Sequence, residues 1–223
     1  MSEADTPVTK SWSAVGVPRA HESAALHVLG QATYTDDIPE VQGTLHGALG
    51  LSSKPHARIV TTDFSKVRAA PGVVAVYSAG DIPGLNDCGP IIHDDPILAD
   101  GVVMYVGQPI FIVVAATHDQ ARRAARLADI TYEDLPAILT PQAAKAAQSY
   151  VLPPMHLKRG EYRQAFERAP HSGKGELYVG GQEQFYLEGQ IAYAVPKEDK
   201  GMLVLCSTQH PSEMQHVVAH ALG

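Results

Sequence analysis

YVGQPIFIVVAATHDQARRAARLADITYED, residues 105–134, is the stretch whose reading decides the fold. Ile110 to Ala116 is an unbroken apolar run, the pattern of a strand buried on both faces. Thr117 then begins a Thr-x-x-Gln sequence with Gln120, a capping-box pattern that opens a helix. Ala121, Ala124, Ala125 and Ala128 recur at i, i+3, i+4 and i+7, which gives a small-residue face able to pack closely on a sheet. Ile130 to Tyr132 starts another strand. The stretch predicts a β-α-β unit, so this part of the chain is α/β or α+β.

Working outward, PGVVAVYS (71–78) is a turn dipeptide followed by a β-branched run and predicts a strand. Strands are also expected around Leu45–Leu51 and Arg58–Thr62. Residues 80–100, GDIPGLNDCGPIIHDDPILAD, are rich in proline and glycine and predict a long loop. Upstream, GQATYTDDIPEVQG (30–43) carries turn chemistry in Asp36, Asp37 and Pro39. Residues 1–22 are small, polar and non-periodic, an N-terminal arm.

Downstream, Thr140-Pro141 caps a short helix through Ala147, with proline at its first position. SYVLPPMHLKRG (149–160) has the composition of a linker. The expected organisation is an arm (1–22), a first domain (23–140), a linker (141–155) and a second region (156–223). In that region a helix is expected over Tyr162–Arg168, with strands over Glu176–Glu188, Gln190–Val195 and Met202–Ser207. PKEDKG (196–201) turns between the last two. Pro211 opens a final helix on which Met214, Val217, Val218 and Ala221 share a face.

The chain has 223 residues, 45% of them hydrophobic, enough for a packed core. Its net charge of −7 argues against nucleic-acid or anionic-membrane binding, both of which need a basic face. Neither a secretory h-region nor an apolar run long enough for a bilayer is present, so a cytoplasmic protein is expected. The two cysteines, Cys88 and Cys206, have no CxxC spacing, and Cys206 in LVLCS reads as a core thiol. GxSxG, GxxxxGK[ST] and strand-GxGxxG-helix patterns are missing, which disfavours the hydrolase and nucleotide-binding modes they mark.

His216 and His220 stand at i, i+4 with His210 before them, but HxxxH without a third ligand reads as exposed or hydrogen-bonded histidine. The pairs Asp36-Asp37 and Asp94-Asp95 read as turn and cap residues more readily than as a cation site. VGGQEQFYLEGQ (179–190) raises a sharper question. Gly180-Gly181 inside a strand marks a bulge or a close approach to the backbone. Alternation afterwards would put Gln182, Gln184, Tyr186 and Glu188 on one polar face. Glu183 and Glu188, five apart, would face opposite sides and could not act as an acid–base dyad unless a bulge intervenes. From the residues alone, the polar face is a structural hydrogen-bond network or a site, and both readings stand.

GGQEQFYLEGQIAYAVP (180–196) followed by STQHPSEMQHVVAHALG (207–223) resembles the molybdenum-binding subunit of bacterial xanthine dehydrogenases, in the molybdenum hydroxylase family. HVLGQATYTDDIPE (27–40) and VGQPIFIVVAATHDQARRAARLADITYEDLPAILT (106–140) are similar to the α/β hammerhead domain preceding the molybdenum region there. The likeness runs from about His21 to Gly223. Gln-His-Pro-Ser-Glu (209–213) leans to the xanthine dehydrogenase branch over aldehyde oxidases and carbon monoxide dehydrogenases.

The resemblance implies an α+β chain: a hammerhead domain, then the β-rich opening of a molybdopterin-binding domain. It implies a molybdenum-molybdopterin cofactor held without a protein ligand to the metal, and hydroxylation of hypoxanthine or xanthine. Electrons would leave through 2Fe-2S clusters and FAD, in a partner subunit or domain, to NAD. Gln182 matches the glutamine whose side-chain amide lies beside the molybdenum oxygen ligands, an outer-shell contact. Gly180 and Gly181 would let the backbone pass close to the cofactor. The family's Gly-Gly-Phe-Gly-Gly-Lys-Glu motif, its general-base glutamate and its substrate-orienting glutamate and arginine are expected downstream. On this reading the chain is an N-terminal portion without a catalytic residue of its own. It would be inactive alone and would associate with the rest of the subunit or with itself as an oligomer.

Overall fold

The computed structural model describes residues 15–223; most of the expected arm, residues 1–14, lies outside them. The described chain is α+β, and its contacts group into two units, one of 40–185 with 208–223 and one of residues up to Pro39 with 186–207.

In the first unit the apolar run becomes β5 (Pro109–Ala115), the middle strand of an antiparallel sheet between β1 (His46–Leu51) and β3 (Val73–Ser78). Phe111, Val113 and Ala115 on one face are fully buried, as is Ile110 on the other. Ile112 and Val114 are only half-buried, so the second face is less covered than an all-apolar run predicts. A second antiparallel sheet holds β4 (Val102–Val103), β2 (Ala57–Asp63) and β6 (Asp129–Asp134), in that order. The strand–helix–strand order of 105–134 is therefore present, but its two strands lie in different sheets. They are joined by α3 (His118–Ala125) without forming a parallel pair. Periodicity reports which faces are buried and not which neighbour buries them.

Thr117 caps α3, its hydroxyl accepting from the Gln120 N–H at 3.2 Å. Ala121 packs with Ala48 and Ala115, while Ala124 joins the larger cluster around Phe64, Val67, Val103, Ile110 and Phe111. At Gly50 of β1 an added Cβ would overlap the Phe111 ring, so only glycine lets that ring lie across the strand. Thr140 likewise caps α4 (Pro141–Ala146) by accepting from the Ala143 N–H. The linker that follows is irregular and exposed, and α5 (Tyr162–Arg168) forms over the expected residues.

The 80–100 loop is irregular but closed. The Asn86 amide donates to the Leu98 carbonyl at 2.8 Å and accepts from the Leu98 N–H at 2.9 Å. Asp87 lies 2.6 Å from His93 Nδ1 and accepts from the N–H groups of Gly89 and Asp95. At the start of the loop, the N–H groups of Gly84 and Leu85 donate to the carbonyls of Ala221 and His220. These are end groups of α6 (Pro211–Leu222), which carries Met214, Val217, Val218 and Ala221 half-buried on one face.

In the second unit β7 (Ala192–Pro196) and β8 (Met202–Cys206) form a hairpin across PKEDKG, where Asp199 and Lys200 take positive φ. A short 3₁₀ turn, Thr35–Asp37, is closed by Asp37 accepting from the Tyr34 N–H at 2.9 Å.

Gly50→Ala forces the methyl against a buried ring, and a loss of about 1–3 kcal/mol is expected from denaturant unfolding. Stability unchanged by the substitution would show that the ring can move aside. Three carboxylates are held below their ordinary value of 3.8 by hydrogen bonds: Asp87 first by His93, Asp81 by the Ser78 N–H and hydroxyl, and Asp63 by Ser65. A depressed folded pKa contributes stability that is present above the ordinary value and lost as pH falls through the folded one. The unfolding midpoint therefore drops with acid below about pH 4. Asp87→Asn should make that drop shallower, and a slope identical to wild type would remove Asp87 from the linkage.

Candidate functional site

The chain leaves α5 at Ala169 and runs without regular structure from Pro170 to Ile191. The strand expected over Glu176–Glu188 does not form. Among the described residues no second strand runs beside it, and an unpaired extended segment has no ladder to satisfy its backbone. Phe185 sits at φ 57°, in the left-handed region, which also breaks the alternation that would align Gln182, Gln184, Tyr186 and Glu188. Those four residues therefore do not share a strand face. The segment also leaves large apolar groups in water: Leu177, Tyr178, Phe185 and Leu187 are each 86% or more exposed.

Gln182 lies within this segment, exposed, and its amide has no hydrogen-bond partner among the described residues. At Gly181 nothing lies within 4 Å of where a Cβ would be, and at Gly180 only the Tyr178 ring comes to 4.0 Å. The glycines are thus an open stretch of backbone beside a free amide. That suits an anionic, oxygen-rich cofactor: backbone N–H groups are accessible, and a neutral amide can both donate and accept.

The nearby carboxylates are engaged. Glu183 accepts from the Phe185 N–H at 3.3 Å. Glu188 Oε1 accepts from the Thr35 N–H and the Thr35 hydroxyl, each at 3.3 Å. Nothing in the sequence signalled that pairing, because the partners are 153 residues apart.

The other sequence candidates fall elsewhere. The rings of His216 and His220 are 6.3 Å apart on α6, and no group of three or more His, Cys, Asp or Glu could hold a metal among the described residues. Asp95 takes its place in the Asp87 network through its backbone, its N–H donating to Asp87 and its carbonyl accepting from Cys88. Both cysteines are free, and burial raises the Cys88 thiol above its ordinary value, which keeps it protonated. A cleft of about 480 Å³ is lined by Pro55, His56, Met104, Tyr105, Ile138 and Leu139, apolar with few polar groups converging on it. No helix of the described residues is long and apolar enough to cross a membrane.

Comparison with known proteins assigns these regions. Residues 29–136 match the family model of the aldehyde oxidase and xanthine dehydrogenase a/b hammerhead domain, and residues 143–223 match that of the molybdopterin cofactor-binding domain. Xanthine dehydrogenase of Dictyostelium discoideum is 42% identical over 207 residues, covering 92% of this chain and 15% of that protein. Quinoline 2-oxidoreductase from Pseudomonas putida 86 superposes with TM-score 0.72 at 26% identity, over 89% of this chain and 27% of the other. Aldehyde oxidoreductase from Desulfovibrio gigas does so with TM-score 0.68 at 28% identity, over 82% and 22%. The chain thus spans about 15% of the length of the curated relative. An α+β hammerhead followed by the start of a molybdopterin-binding domain, matched in tandem along most of its length, places this chain in the molybdenum hydroxylase family of aldehyde oxidases and xanthine dehydrogenases.

Proposed function

We propose that this chain serves in a xanthine-oxidising molybdenum hydroxylase, with residues 23–140 as the hammerhead domain, 141–155 as the linker and 156–223 as the opening of the molybdopterin-binding domain. The observation that carries the reading is the unpartnered Gln182 amide beside the open Gly180-Gly181 backbone, inside the segment matched to molybdopterin-binding domains. The purine substrate, hypoxanthine or xanthine, is favoured over an aldehyde because xanthine dehydrogenases align at about 40% identity. The aldehyde and quinoline oxidoreductases share 26–28%.

When bound, molybdenum-molybdopterin supplies oxidative hydroxylation of an electron-poor ring carbon. The chain's own part is to shape the surroundings. The Gln182 side chain would help hold that group, since its NH₂ can donate and its carbonyl can accept. It would orient the group without placing a net charge beside it. Gly180 and Gly181 keep side chains out of the approach. The general base, the 2Fe-2S clusters, FAD and the NAD site belong to other parts of the assembly. The cytoplasm is the compartment that fits such an NAD-linked enzyme.

Gln182→Ala in the complete, molybdenum-loaded enzyme should keep its molybdenum content and lose about 10- to 100-fold in turnover with xanthine. Turnover near wild type would remove the role of Gln182. The 223-residue chain purified alone should carry no stoichiometric molybdenum by elemental analysis. Its exposed Leu177, Tyr178, Phe185 and Leu187 should make it self-associate on sizing chromatography. A molybdenum-replete monomer would overturn the view that other segments complete the site.

A further inference from the structure

One sheet of the hammerhead has an unprotected margin. Among the described residues β1 pairs with β5 alone, so its outer row of N–H and C=O groups has no strand beside it. Edge strands are ordinarily blunted by charges or proline, as β6 is by Asp129, Glu133 and Asp134. β1 reads HGALGL and carries no lysine, carboxylate or proline.

A cleft of about 530 Å³ runs along this margin. One side is the backbone of residues 47–51, and the other is formed by His118, Arg122, Ala125 and Arg126 of α3 and its cap. These four stand at i, i+4, i+7 and i+8, so they share one helix face. That stripe is about 12 Å long at about 1.5 Å per residue, and the strand about 14 Å at about 3.4 Å per residue, so wall and strand match in length. The cleft is basic in a chain of net charge −7. No carboxylate lines it, and Arg122 and Arg126, both exposed, make no ion pair among the described residues. Arg123 beside them is instead paired with Asp119 at 3.0 Å. Leu49 and Leu51 alternate with the buried Ala48 and Gly50, so they lie on the sheet face away from α3, about half exposed.

We infer that this margin is a docking site for an extended acidic segment of another protein chain, which joins the sheet as a strand beside β1. Side chains on one face of a strand recur about every 6.8 Å, and Arg122 and Arg126 are separated by about 6 Å along the helix. Two carboxylates at i and i+2 of the added strand therefore meet the two guanidinium groups. The residues between them fall beside Leu49 and Leu51 and are apolar. The recognised segment thus alternates acidic and apolar residues. Backbone hydrogen bonds supply affinity whatever the side chains, and the arginines select the partner. A second copy of this chain is the wrong occupant, because β1 against β1 sets two arginine rows side by side.

The test titrates the 223-residue chain into a fluorescein-labelled peptide, Thr-Glu-Val-Glu-Leu-Glu-Thr, followed by anisotropy, with hydrogen exchange over 46–51 read in parallel. Wild type should bind the peptide, and exchange over 46–51 should slow. Arg122→Glu combined with Arg126→Glu should weaken binding about tenfold, and Arg123→Glu, outside the cleft, less than about twofold. All three positions are exposed, so the fold tolerates the changes, and circular dichroism checks it. A peptide of the same composition with its glutamates in one block should lose most of the binding, as should one N-methylated along its backbone. No binding to wild type, equal binding of the block peptide, or unchanged exchange over 46–51 overturns the proposal. Exchange over 46–51 that slows with protein concentration in the absence of peptide also overturns it, since a second copy is then the occupant.

Discussion

The hammerhead hangs on one close approach, the Phe111 ring lying across Gly50 and against Phe64, whose ring centroid is 4.6 Å away. β5 must be the middle strand for that ring to be sealed, since β1 supplies the glycine on one side and β3 closes the other. Around it gather Val67 from the short helix after β2, Ala57 and Val103 from the second sheet, and Ala124 from α3. Each of these elements buries little alone. Packed in one cluster, they couple two separate sheets into a single core, and burying an aromatic side chain this fully stabilises by about 1.5–3 kcal/mol before any packing gain.

What the sequence disclosed follows from this physics. β5, α3 and α4 were legible because their signals are local: an apolar run, a threonine three residues before a free N–H, and alanines one helical turn apart. The edge of legibility came where the cause is not local. Ile130 and Ile112 both advertise burial, yet nothing in their spacing says that they belong to different sheets. The stretch 176–188 has β-forming side chains in Leu177, Tyr178, Val179, Phe185 and Tyr186, but a strand is a property of a pair and no partner strand lies beside it. Thr35 and Glu188 look like an unremarkable hydroxyl and an unremarkable surface carboxylate until the fold brings them together. The candidate amide was found through resemblance; its openness and its lack of partners came from the structure.

The hammerhead domain and the segment 170–187 differ in how firmly they are held. Segments with few buried contacts and unshared backbone groups open most easily, and binding segments are drawn from that end of the range. Residues 170–187 meet that description, with apolar side chains in water and a single internal hydrogen bond. Covering Tyr178, Phe185 and Leu187 would take that apolar surface out of water. The rigid hammerhead, with its buried polar groups Ser52 and Gln108 all satisfied, has no such need.

The polar groups along 182–188 are held to different degrees. A carboxylate works as a general base only if a lone pair is free to take a proton. Glu188 spends one oxygen on the two donors of Thr35, and Glu183 is turned onto the Phe185 N–H. The second oxygen of each carboxylate stays free, so these contacts hold the side chains in place without using up their lone pairs. Gln182 has no such commitment. It also cannot take up a proton at neutral pH, so it is fit to orient and unfit to abstract. Beside two engaged carboxylates, Gln182 and Gln184 are the uncharged amides of the stretch that have no hydrogen-bond partner among the described residues.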